Sequence, residues 1–97
     1  MKIKVLNYFI INKFKPNQKN ILDVQIIDEK ESSLINKKFI NNDRKISFTV
    51  KSVGHINPSV ENYYPLVVEI DEGKDLENYK GLIFNESIIE NNSNILT

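Results

Sequence analysis

Cysteine is absent from the chain, which excludes disulfides and thiolate-held metal sites. Alanine, the strongest helix former, is absent too. With Ile abundant and Val, Tyr and Phe recurring, propensity therefore tilts away from long helices and toward strands. Only three glycines occur, and none lies in a G-x-x-x-x-G-K-[ST] loop, so the chain lacks the phosphate cradle of nucleotide hydrolases. The single histidine, His55, leaves a nucleophilic triad or a zinc site short of members and reads as structural. No apolar run approaches the roughly 20 residues that a helix needs to cross a bilayer, and no membrane partner is expected. The opening Met1-Lys2-Ile3-Lys4-Val5-Leu6 alternates instead of forming the unbroken apolar stretch of a signal peptide, so a cytoplasmic location is expected.

Ninety-seven residues are enough for one domain with an adequate core. The formal charge sums to zero but is unevenly spread. Residues 1–51 carry eleven Lys or Arg against five Asp or Glu, and residues 52–97 carry two against eight. Two arrangements follow from this. Basic and acidic strands can lie side by side and neutralise each other, or the halves can separate into a dipole with a basic face for nucleic acid or an acidic partner.

Strand-like alternation recurs along the chain. Residues 2–12 place Ile3, Val5, Phe9 and Ile11 on one face and Leu6, Tyr8 and Ile10 on the other, with Asn7 breaking the pattern, which predicts a doubly covered strand or a bulge near Asn7. A turn over residues 14–20 leads to a second strand, 21–28, with Leu22, Val24 and Ile26 facing in. A short strand is expected within 34–40, and a long one over 45–57 whose phase slips near residues 52–54. Tyr64, Leu66, Val68 and Ile70 mark the inner face of the next strand. One helical turn capped by Asp75 and a final strand at residues 81–84 complete the set. The expected fold is all-β: a small, closed or partly open, six-stranded antiparallel barrel over residues 1–86, with residues 87–97 as a flexible polar tail.

Two stretches carry a family resemblance. Val50-Lys51-Ser52-Val53-Gly54-His55-Ile56, and Leu66-Val67-Val68-Glu69-Ile70 followed by Lys80-Gly81-Leu82-Ile83-Phe84, resemble strands of the second, β-barrel domain of elongation factor Tu and related translation factors. The family's Gly-rich first turn is replaced here by Lys15-Pro16-Asn17-Gln18-Lys19-Asn20, and its Gly-Asp turn by Asn36-Lys37-Lys38. The resemblance implies a barrel that works by contact with aminoacyl-tRNA or the ribosome; the GTPase chemistry of the neighbouring domain does not carry over.

Candidate sites are few. Lys2, Lys4, Lys13, Phe14, Lys15 and Lys19 combine cations with a ring, the pairing that single-strand nucleic-acid binders use, although a solvated edge would look the same. Leu6, Tyr8 and Ile10 form a candidate protein interface, covered by the chain's own tail or by a second copy in a homodimer. Asp71, Asp75 and Glu77 around Gly73 faintly resemble a calcium loop, but Gly73 and Lys74 stand where oxygen ligands are needed. Nothing apolar encloses Asp28, Glu29 and Glu31 to make an acid/base pair of them. No catalytic or metal residue and no cofactor is assigned. The expected function is a non-enzymatic binding or adaptor module whose protein or RNA partner is unknown. An RNA- or ribosome-associated protein and an immunity or inhibitor protein are the alternatives.

Overall fold

The computed structural model describes residues 1–28, 33–54, 63–72 and 75–87. Six strands, β1 (Lys2–Ile11), β2 (Lys19–Ile26), β3 (Lys38–Asn41), β4 (Ile46–Val53), β5 (Tyr63–Glu72) and β6 (Ile83–Ser87), and one 3-10 turn, η1 (Leu76–Tyr79), make up the architecture. The strands close into an antiparallel barrel in the order β1-β2-β5-β4-β3-β6. Closure pairs every strand on both sides over at least part of its length, so few backbone groups are left to template aggregation.

The interior follows from alternation. Ile3, Val5, Leu22, Val24, Ile26, Phe48, Val50, Leu66 and Val68 all point inward and are buried. Phe48 is the hub of the aromatic packing. Its ring stacks on Phe39 at 5.7 Å, meets Phe84 edge-on at 5.1 Å and lies 6.4 Å from Tyr79. Tyr79 is fully buried yet satisfied, because its hydroxyl donates to the Glu72 carbonyl at 2.8 Å. Burial and the nearby Asp71 carboxylate push its phenol up to about 12, so it stays protonated at any ordinary pH.

The strand order also resolves the charge asymmetry. β5 and β6 come from the acidic half, and each lies between two strands of the basic half, β5 between β2 and β4 and β6 between β1 and β3. Lys37 reaches Glu86 at 2.7 Å and Lys51 reaches Glu69 at 3.6 Å, each pair joining the two halves. Charges that are segregated along the chain are therefore interleaved around the barrel.

The bulge expected near Asn7 is present at Leu6, where the register against β2 slips between Val5 and Asn7. Several other expectations need correction. Past that extra residue the facing reverses. Tyr8 and Ile10 pack against the core, whereas Phe9 and Ile11 turn outward and are 47% and 44% exposed. The outward stripe expected at Leu6, Tyr8 and Ile10 does not form, because Tyr8 and Ile10 lie on the inner side. Leu82, expected in the core, is only half-buried at its edge. Asp75 precedes η1 without a side-chain capping bond. The last strand begins at Ile83 rather than Gly81 and includes Ser87, which was assigned to the tail. In β4 the expected slip falls between Val50 and Ser52, and a second occurs between Ser47 and Phe48. His55, Glu29, Glu31, Gly73, Lys74 and residues 88–97 lie outside the described residues.

Candidate functional site

β1 has a strand neighbour on only one side over its outer half. It pairs with β6 through Lys2, Ile3 and Lys4. One step further the Val5 amide donates to the Leu82 carbonyl at 2.9 Å, and the Gly81 amide donates to the Val5 carbonyl at 2.7 Å. Gly81 sits at φ +85°, a left-handed conformation that glycine adopts without strain, and this lets the chain turn from η1 into that pairing. Beyond it, among the described residues, residues 7–11 pair with β2 only, and η1 stands beside β1 there. The Tyr8 amide, on the open side, is bonded by the Asn7 side-chain oxygen at 2.9 Å. Backbone groups alternate sides along a strand, so those of Ile10 face the same way.

A cleft of about 430 Å³ lies here, lined by Tyr8, Ile10, Lys13, Phe14, Gln18, Asp75, Leu76 and Glu77. Tyr8 and Ile10 form its apolar floor, continuous with the core, and the hairpin between β1 and β2 forms its rim. That hairpin is held by bonds of its own: Lys15 amide to Asn12 carbonyl and Gln18 amide to Lys15 carbonyl, both 3.0 Å, and Phe14 amide to the Gln18 side-chain oxygen at 2.9 Å. Asn12 and Phe14 adopt positive φ, 56° and 68°. For a ring-bearing residue that is an uncommon conformation, and here it presents Phe14 to solvent with 89% of its surface exposed. The Lys13 ammonium lies 5.1 Å from the ring centre, within cation–π range. Asp75 and Glu77, both exposed, supply carboxylates to the η1 side.

The candidate nucleic-acid residues are divided by this geometry. Lys13, Phe14, Lys15 and Lys19 share the hairpin, whereas Lys2 and Lys4 lie at the far end of β1, roughly 23 Å or more away at the usual rise per residue. Of the interface candidates, Tyr8 and Ile10 line the cleft and Leu6 is the bulge residue. Asp75, Leu76 and Glu77 were not grouped with these residues by sequence reasoning. The signal that pointed to a helical turn here was Asp75 as its cap, and within that turn Leu76 and Tyr79 are buried. Asp28 has a structural part: its carboxylate accepts the Lys2 amide at 2.9 Å. Among the described residues no group of three His, Cys, Asp or Glu side chains could hold a metal ion.

No family model, curated protein or solved structure matches this chain. Functional inference therefore rests on the cleft itself. Its lining has an apolar floor, an exposed ring, one cation and two carboxylates. These are groups that bind by contact, and none of them is a nucleophile with a base beside it.

Proposed function

We propose that the chain is a non-enzymatic binding module and that the cleft between β1, the β1–β2 hairpin and η1 is where it holds its partner. The observation that carries this reading is Phe14. A large ring is held out in solvent by a bonded turn, at the mouth of a cleft whose floor is already apolar, and such presentation typifies contact residues. The resemblance to the translation-factor barrel supports the same class of function, since that domain acts by contact.

An RNA partner is the second reading. Phe14 beside Lys13 and Lys15 offers one stacking ring with phosphate-binding cations, but Asp75 and Glu77 across the cleft would repel a polyanion. The test is a pull-down with the tagged full chain and its Phe14→Ala variant at low and moderate salt, identifying protein and RNA together. A protein retained by the wild type at moderate salt and lost from Phe14→Ala supports the first reading. RNA retained only at low salt supports the second. Identical captures by both proteins would refute the assignment of the cleft.

A further inference from the structure

We infer that the cleft takes an extended, cationic peptide segment of another protein, which adds as a strand to the open edge of β1. This rests on the reading of the cleft as the contact site and specifies what occupies it and how. Three observations converge. Residues 7–11 of β1 lack a second strand neighbour among the described residues, as do residues 69–72 of β5 and 51–53 of β4, but of these edges the β1 stretch is the one that contributes residues to the cleft. The cleft runs beside that edge, so an incoming strand would find backbone groups and an apolar floor together, the combination used in recognition by strand addition. The carboxylates of Asp75 and Glu77 outnumber the single Lys13 ammonium along the lining, so complementarity asks for Lys or Arg in the ligand.

The same charges argue against the other occupants. Residues 88–97 contain one Glu and neither Lys nor Arg, so this segment cannot answer the acidic wall. A second copy docked edge to edge would bring its own Asp75 and Glu77 into the shared cleft, setting four carboxylates against two ammonium groups. A nucleic acid meets those carboxylates with phosphates.

The probe is a displayed library of random peptides of roughly seven residues, long enough to cover the open edge, selected on the full chain. Enriched peptides should alternate apolar residues with Lys or Arg. Their binding should slow hydrogen exchange of the Ile10 amide in the wild-type protein. Ile10→Pro removes that outward amide without touching the β2 ladder, and Glu77→Lys reverses one wall charge. Each should weaken binding on the order of tenfold, whereas Glu69→Lys, at an exposed position of β5 outside the cleft lining, should not. Circular dichroism checks that each variant is folded, and the exchange measurement on unaltered protein stands if Ile10→Pro is not.

Failure to enrich any peptide, or enrichment of peptides without basic residues, overturns the inference. Peptides that depend on Phe14 but leave Ile10 exchange unchanged would remove strand addition while keeping the cleft as the site. Binding indifferent to both Phe14 and Ile10 would remove both. A concentration-dependent dimer abolished by Ile10→Pro would assign the edge to a second copy, and oligouridylate shifting the Tyr8 and Ile10 amide signals would assign it to RNA; either result refutes the peptide.

Discussion

Replacing Phe48 with alanine tests the barrel at its hub. The side chain is fully buried and touches three other rings, from β3, η1 and β6, so its removal opens a void bordered by elements far apart in sequence. Phe→Ala in a packed core costs about 3–5 kcal/mol, and the upper part of that range applies where aromatic pairs are lost as well. A chain of this size has a total stability of about 5–15 kcal/mol, so Phe48→Ala should leave a folded but fragile protein. In urea, with an m-value near 1.5 kcal/mol/M, the midpoint should fall by about 2–3 M. Phe14→Ala is the control. Phe14 is nearly all in solvent, and its truncation should stay within about 0.5 kcal/mol. Far-UV circular dichroism suits both titrations, because the chain has no tryptophan. A shift below about 0.5 M for Phe48→Ala, or one equal to that of Phe14→Ala, would refute the hub and with it the packing described above.

β2 and β5 were legible because each alternates without a break, so only one face can be buried. Leu22, Val24 and Ile26, and Leu66 and Val68, are inside as the pattern requires. β1 was not legible in the same way. Both of its faces are apolar, and a single extra residue decides which of them turns inward after Val5, a choice that depends on the partner strand and not on β1. The short β3 was blurred by Leu34, which is buried from the connection before the strand and continues no alternation into it. Charge was legible in amount, and side-by-side neutralising strands were among the arrangements it allowed, but the individual pairs were not legible. Lys37 meets Glu86 and Lys51 meets Glu69 because of the strand order, which is a non-local property of the chain.

The candidate site divides along the same line. Lys13 and Phe14 are adjacent in sequence, and a ring between lysines in a turn is visible without a structure. Asp75, Leu76 and Glu77 are more than sixty residues away, and they reach the cleft only because β6 pairs with β1 and so draws η1 against that strand.

Acid should unfold the protein partly through Glu86. Its hydrogen bond to Lys37 holds the carboxyl below the usual carboxylate range. This contribution is complete above the unfolded value of about 4.3 and is lost as pH falls through the folded value, so Lys37→Met should flatten the acid limb of a stability-versus-pH curve. Asp23 works with the opposite sign: burial raises its carboxyl, so ionisation weakens the fold as pH rises through the folded value. Asp23→Asn should raise the melting temperature at pH 7, and a decrease would show that the carboxylate has a favourable partner. The Ser47 hydroxyl is buried with no hydrogen-bond partner among the described residues, so Ser47→Ala should stabilise by up to about 1 kcal/mol, measurable by urea titration. The last expectation concerns Leu6. If it is the extra residue of the bulge, deleting it should leave the inside and outside of β1 unchanged, because Tyr8 and Ile10 then continue the alternation of Ile3 and Val5. Deleting Phe9 instead, beyond the bulge, should turn Ile10 outward and bring Ile11 toward the core, with no compensating slip. The Leu6 deletion should therefore unfold cooperatively and lose only the packing of a half-buried side chain, about 1–2 kcal/mol, whereas the Phe9 deletion should lose clearly more. Urea titration of both proteins decides the matter. Equal losses, or a Leu6 deletion that fails to fold while the Phe9 deletion folds, would place the extra residue elsewhere in β1 and move the cleft floor with it.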